Sequence, residues 1–438
     1  MRWTSITATT ASAYTGQTAS PGYYSNLLTK YGIRTEVTAT PRTSAERYTF
    51  PEGYGTYSVK PGQGLTNESG AWVRRVSDTE VEGMKLLGTF CYNPQAVFPV
   101  YFVMRVSKRP AATGFWKKQP PKQGVEAEWD KDAGNYKLYT QYGKDIAGDD
   151  VGVWFSYDMQ PGEQVEVRMG VSFVSAENAR LNLEAEQQGR SFDDIRAAAR
   201  RTWNDDLGRI RVEGGTEAQK KVFYTGLYHA LIHPNVLSDV NGEYPAMESA
   251  EIRTAEGNRY TVFSLWDTYR NLHQLLTLVY PERQLEMVRS MVGMYREWGW
   301  LPKWELYGRE TFTMEGDPSI PVIVDTWMKG LRDFDVDAAY EAMRKSATTP
   351  GARNRMRPDI DPYIEKGYVP LGFYARDLSG DNSVSHALEY YIADHALSLL
   401  ADSLGKKDDA ALFRARSLGY KNYYSTESGT FRPITREG

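Results

Sequence analysis

Hydrophobic and polar positions alternate with a period of two through roughly the first 175 residues and shift to a helical period beyond them. The clearest alternation lies in YSNLLTKYGIRTEVTATPRTSAERYTF, residues 24–50. There Ile33, Thr35, Val37 and Ala39 fall on one side, and Arg34, Glu36 and Thr38 on the other. Further strands are predicted at Gly70–Val76, Thr79–Phe90, Phe98–Ser107, Asp150–Tyr157 and Gln164–Phe173. Short strands with Gly and Pro at the joins predict an antiparallel β-sandwich over residues 1–175. Gly114–Gly134, which holds Pro120 and Pro121, reads as an exposed loop, and the first strand has no obvious partner.

Residues 176–215 read as a helical linker. Ser191 followed by Asp194 has capping-box spacing, and Arg209–Val212 reads as a short returning strand before Gly214 and Gly215. Helices are then predicted at Thr216–Ile232, Ser264–Val279, Glu282–Trp298, Pro318–Leu331, Val336–Ala347, Ser383–Leu404 and Asp408–Tyr424, punctuated by Pro234, Pro281, Pro302 and Pro350. No repeat of fixed period is visible, which disfavours a regular solenoid. Consecutive helices with broad apolar faces point to an incomplete (α/α)6 toroid over residues 216–438. Too few helices are present to close such a ring, and the chain ends in the polar FRPITREG. The expectation is therefore a fragment, truncated in both the sandwich and the toroid.

Composition narrows the function. Net charge is −4, from 52 basic and 56 acidic residues, which gives no support to nucleic-acid binding. Cys91 is the only cysteine, so no intrachain disulfide or thiolate zinc cluster can form. No apolar run reaches the roughly 18 residues of a membrane span, and the N-terminus shows no signal-peptide pattern. The 30 Tyr and 11 Trp give the chain an aromatic content suited to handling glycans.

Candidate chemistry concentrates in Ser264–Asp325, where carboxylates and tryptophans gather at helix ends. Trp266 and Asp267 open one helix, with Arg270 placed at i+3 to clamp Asp267. Trp304 and Glu305 follow Pro302 on a loop. Glu315 and Asp317 precede Pro318, a pattern in which Asp317 is also explained as a helix cap. Asp325 sits in the apolar run PVIVDTWM, where a charge needs a partner. Aromatic platforms beside carboxylates suit a sugar, whose C–H faces stack and whose hydroxyls need charged acceptors. His386 and Glu389, and then Asp394 and His395, read as the wet face of a helix. His229 and His233 have metal-compatible spacing but lack an accompanying glutamate, and Asn67-Glu68-Ser69 is an uninformative sequon.

The blocks SLWDTYR, LPKWE and GDPSIPVIVD, in that order and spacing, closely resemble glycoside hydrolase family 92. ASPGYYSNLLTKYGIRTEVTAT upstream and NSVSHALEYYIADHALS downstream extend the resemblance over nearly the whole chain. It implies a β-sandwich followed by a helical toroid, with a site between them. It also implies calcium-dependent, inverting, exo-acting hydrolysis of terminal α-mannose, with a mannose-containing glycan as partner and a periplasmic or secreted location. By motif match, Trp266, Asp267 and Arg270 are expected to bind substrate, with Trp304, Glu305, Glu315 and Asp317 lining the same pocket. The family's EGNAWQY-like and GNEP-like blocks do not occur here, so the acid, the base and the calcium ligands are expected outside the chain. The alternatives are a non-catalytic glycan-binding module and a toroid glycosidase acting on α-glucosides.

Overall fold

The computed structural model describes residues 11–61, 70–88, 93–126, 129–131, 133–140, 143–373 and 382–438. Cys91 and the sequon at Asn67 lie outside the described residues. The chain divides into two compact units: Met1–Thr89 with Val97–Tyr228 and Asp239–Tyr244, and Phe90–Ala96 with His229–Ser238 and Pro245–Gly438.

The first unit is an antiparallel β-sandwich. Its strands are β1 (Tyr14–Ser20), β2 (Tyr23–Leu28), β3 (Ile33–Ala39), β4 (Thr43–Thr49), β5 (Gly53–Val59), β6 (Ala71–Arg75) and β7 (Glu80–Gly88). They continue with β8 (Val97–Val106), β9 (Ala112–Lys118), β10 (Tyr136–Thr140), β11 (Asp145–Gly148), β12 (Val151–Met159) and β13 (Gln164–Ser172). One sheet runs β1-β2-β3-β4-β13-β8-β7-β6-β11 and the other β10-β9-β12-β5. Val73, Val81, Phe102, Met104 and Val167 of the first sheet share a core with Phe115, Val153, Phe155 and Tyr157 of the second.

Helices α1 (Ala176–Gln187) and α2 (Phe192–Leu207) pack on the first sheet. Gly170 on β13 permits the approach of α1, because a Cβ there would lie 2.2 Å from the Ala179 carbonyl oxygen. The capping box at the start of α2 forms as predicted: the Asp194 N–H donates to Ser191 Oγ at 3.1 Å, and the Ser191 N–H donates to Asp194 Oδ2 at 3.0 Å. Helix cover also explains a departure from the alternation of β3. Thr35, Glu36 and Thr38 are all buried, because α2 lies over this end of the sheet. Glu36 is satisfied there by Arg47 at 2.9 and 3.0 Å and by the Tyr23 hydroxyl at 2.8 Å.

The predicted strands are present with ends shifted by one or two residues. Three expectations fail. Gly114–Lys118 is part of β9 rather than loop, and Trp116 there is fully buried. β1 has a partner in β2. Arg209–Val212 forms no strand.

After α3 (Glu217–Ala230), the second unit contains α4 (Leu265–Thr268), α5 (Leu272–Val279), α6 (Pro281–Trp298), α7 (Ser319–Met328) and α8 (Val336–Thr348). It ends with α9 (Ile360–Lys366), α10 (Ser383–Ser403), α11 (Lys407–Ser417) and α12 (Tyr420–Tyr423). The helix predicted over Ser264–Val279 breaks at Tyr269–Asn271, where Tyr269 and Arg270 are drawn to Glu389 of α10. Helix α9 was not legible as an element, since it is only seven residues long and contains Pro362. Its Tyr363 nevertheless joins Tyr390, Tyr391 and Tyr423 in a core against α10. Among the described residues no helix is long and apolar enough to cross a membrane.

Replacing Ser191 with Ala removes one acceptor from the α2 terminus. It is expected to lower unfolding free energy by about 1 kcal/mol, read from the urea midpoint.

Candidate functional site

The site in the second unit is built on a small ribbon. Phe263–Ser264, Trp304–Leu306 and Arg309–Glu310 pair antiparallel, with Phe263 opposite Glu305, Ser264 opposite Trp304, and Glu305 opposite Glu310. The ribbon thus sets the SLWD and KWE blocks side by side despite the long separation between them in sequence.

Both glutamates of the ribbon are fully buried and accept from the backbone. Glu305 accepts from the N–H groups of Gly308 at 2.6 Å and Val262 at 3.0 Å, and from the Thr261 hydroxyl at 2.8 Å. Glu310 accepts from the N–H groups of Lys303, Trp304 and Phe312 at 2.8, 3.0 and 2.9 Å. These contacts hold a strained backbone. Val262, Tyr307, Phe312 and Met314 have φ of 63°, 49°, 55° and 67°, a region costly for residues other than glycine. Burial raises the Glu305 carboxyl to about 7 from its ordinary 4.5. Hydrogen bonds from Gly308 and Thr261 and the charge of Arg259 oppose the rise, and Glu310 reinforces it. Burial likewise raises Glu310, against its three backbone donors.

From the ribbon, α4 carries Trp266 and Asp267 outward. Trp266 is half-buried, and its indole N–H is buried without an acceptor. Asp267 is exposed and takes the Ser264 hydroxyl at 2.5 Å. Arg270 does not clamp Asp267 as its i+3 spacing predicts. It reaches Glu389 on α10 at 2.8 Å and lies over the Trp266 and Tyr269 rings, at 5.0 and 4.9 Å from their centroids. The Tyr269 hydroxyl donates to the other Glu389 oxygen at 2.6 Å.

The Glu315–Asp317 segment meets the same helix. Gly316 has φ of 77° and packs so closely on Glu389 that a Cβ would lie 2.4 Å from that side chain. Glu315 is held by Asn382 at 2.9 Å and by His386 Nε2 at 2.5 Å. Tyr390 donates to Asp359 at 2.6 Å, and Nδ1 of His386 lies 3.9 Å from the other Asp359 oxygen. That Asp359 oxygen, and Nη2 of Arg357, are buried and make no hydrogen bond. Asp317 is not a helix cap: α7 begins after Pro318 without a side-chain cap. Its carboxylate instead takes Arg357 at 2.9 Å and Ser346 at 2.6 Å. Arg357 then reaches Asp394 at 2.8 Å.

Five of the seven candidate residues therefore reach the surface of one region: Trp266, Asp267, Arg270, Trp304 and Glu315. Glu305 and Asp317 lie behind it, with their carboxylates engaged. His386, Glu389 and Asp394 fall on one stripe of α10 and all join the network. Their helical spacing was the available signal, but it fits an ordinary polar face equally well. Asp325 has the bland partner, Lys329 one turn away. Among the described residues no group of three or more His, Cys, Asp or Glu is placed to hold a metal ion.

A β-sandwich followed by helices, with aromatic rings and carboxylates at one surface, is an arrangement that suits a carbohydrate ligand. The glycosyl hydrolase family 92 N-terminal domain matches residues 4–172, and the glycosyl hydrolase family 92 catalytic domain matches residues 178–438. The chain belongs to glycoside hydrolase family 92. It is similar to a family GH92 α-mannosidase from Bacteroides thetaiotaomicron, with 30% identity, a TM-score of 0.84, and coverage of 97% of this chain and 55% of that one. A family GH92 inverting mannosidase from Bacteroides thetaiotaomicron VPI-5482 matches at 26% identity and TM-score 0.84, over 98% of this chain and 55% of that one. An uncharacterized secreted glycosidase from Arthroderma benhamiae is 27% identical over 277 residues, 61% of this chain and 31% of that protein. The chain thus spans about half the length of these solved mannosidases and less of the curated relative.

The raised Glu305 carboxyl predicts a pH effect. Between about 4.5 and about 7 the folded state keeps a proton that the unfolded state has lost. This stabilising contribution is therefore fully present below about 4.5 and is lost as pH rises to about 7, a change of about 3 kcal/mol. Glu305→Gln is expected to lack this slope in urea midpoints measured across the window. An unchanged slope would show that Glu305 titrates normally.

Proposed function

We propose that the protein is an exo-acting α-mannosidase, removing terminal α-mannose from glycans with inversion and with calcium as cofactor. The observation that carries the reading is the grouping of exposed Asp267 and Arg270 with half-buried Trp266 and Glu315, braced by buried carboxylates and by α10. Family membership and likeness to solved mannosidases support it.

In this reading Trp266 stacks on the sugar ring. Asp267 accepts hydroxyl protons. Arg270, fixed by Glu389, donates to the same sugar. Glu315, held by His386 and Asn382, borders the inner end. Behind it the buried, unsatisfied polar atoms of Asp359 and Arg357 would be met by internal water. Trp304 completes the aromatic wall, and buried Glu305 beside it fixes the ribbon strand that carries it. These residues bind and orient. Glycoside hydrolysis needs two carboxyl groups flanking the bond, and we assign neither acid nor base to residues of this chain. Calcium, when bound, would polarise sugar oxygens; no ligand for it is assigned here. An extracytoplasmic location fits a glycan substrate.

The test is mannose release from an aryl α-mannoside, with the anomer of the product read by NMR. The β-anomer is expected first, and chelation of calcium is expected to abolish the signal. Activity confined to α-glucosides, or binding without turnover by the full protein, would overturn the proposal. Asp267→Asn is expected to lower kcat/KM by about 100-fold, or about 2.7 kcal/mol. Trp266→Ala is expected to raise KM by about tenfold with a smaller effect on kcat.

A further inference from the structure

The first unit carries an open cleft of about 470 Å³ that the proposed mannosidase chemistry does not use. Its position follows from the width of the sheet. α1 lies over β13, β8 and β7, and α2 over β2, β3 and β4. Among the described residues no helix packs on β6 or β11 to a comparable extent. Alternation along β6 turns Ala71 and Val73 into the sandwich core, which puts Trp72 and Arg74 on the opposite face. On that face the register aligns Trp72 with Met84 and Met84 with Tyr101. The two aromatic residues therefore stand in one row with a single strand between them, about 9.5 Å apart by strand spacing. Both are half-buried and line the cleft, with half-buried Met84 between them.

The rim is polar. Arg74 is fixed by Glu82 through its Nε at 2.7 Å, and its guanidinium stands 5.8 Å from the Trp72 ring centroid. Asp145 on β11 and Glu177 in the first turn of α1 are exposed and line the cleft, and Ser175 caps α1 beside Glu177. The size lies within the range of small-molecule sites. Two rings held in one row by a sheet present a flat apolar track with little to lose in rotamer freedom. Carboxylates and a guanidinium alongside offer acceptors and donors to hydroxyls. This combination selects a ligand with apolar faces and a hydroxylated edge.

We propose that this cleft is a second carbohydrate-binding site, one that holds an oligosaccharide segment of about two sugar units across Trp72 and Tyr101 and so anchors the protein to a polymeric α-mannan. The choice of mannan rests on the proposed mannosidase activity; the cleft itself rests on the sheet geometry.

Two readouts separate these claims in the full protein. Hydrolysis of a small aryl α-mannoside reads the activity, and adsorption to insoluble α-mannan reads the cleft. Trp72→Ala and Tyr101→Ala are each expected to weaken adsorption by about tenfold, with aryl-mannoside hydrolysis and thermal midpoint unchanged. Trp72→Phe is expected to restore most of the adsorption. Undiminished adsorption by both alanine variants, with hydrolysis intact, would overturn the cleft proposal alone. Absent hydrolysis with Trp72-dependent adsorption would overturn the mannosidase reading and leave the cleft standing.

Discussion

The second unit depends on two buried carboxylates that serve as acceptors for the main chain. Glu305 and Glu310 face each other across the ribbon and between them accept five backbone N–H groups. Removing two carboxylates from water next to one another is costly, and the raised titration of both records that cost. What the carboxylates hold is backbone beside left-handed residues, Val262 and Phe312 among them, through the N–H groups of those two residues. With that backbone held, α4 projects Trp266 and Asp267 from one edge of the ribbon, and Trp304 stands on the neighbouring strand.

A second constraint comes from α10. Its stripe of Asn382, His386, Glu389, Tyr390 and Asp394 receives, in order along the helix, contacts from segments far apart in the chain. Arg357 is wholly buried between Asp317 and Asp394, and Arg416 supplies Asp394 with a second cation. Burying such a triad is warranted less by stability than by register: it fixes where the Glu315–Asp317 segment meets the helix. Surface residues that bind a sugar need supports of this kind, because a shift of one ångström misplaces every hydroxyl contact.

Much of this was legible in the chain. The change of hydrophobic period located the β and α regions, and the Ser191–Asp194 spacing identified a capping box that forms. The SLWDTYR, LPKWE and GDPSIPVIVD blocks pointed to one site, and family 92 membership bears out that resemblance. What could not be read was burial. Glu305 follows Trp304 in a loop and reads as exposed, yet the ribbon turns it inward. Arg270 has a sequence neighbour to pair with and chooses Glu389, 119 residues away, because the helix breaks after Tyr269. His386 and Glu389 show the spacing of any amphipathic helix, and only tertiary contacts set them apart. β9 was hidden by the prolines that follow it, although Trp116 fills the space beneath.

The central claim is that Trp266, Asp267, Arg270 and Glu315 face one bound sugar. A crystal structure of the protein with a non-hydrolysable α-mannoside tests this most directly. The account predicts the terminal mannose stacked on Trp266, with its hydroxyls on Asp267 and Arg270. A mannoside bound elsewhere in the second unit, with these four side chains untouched, would contradict it.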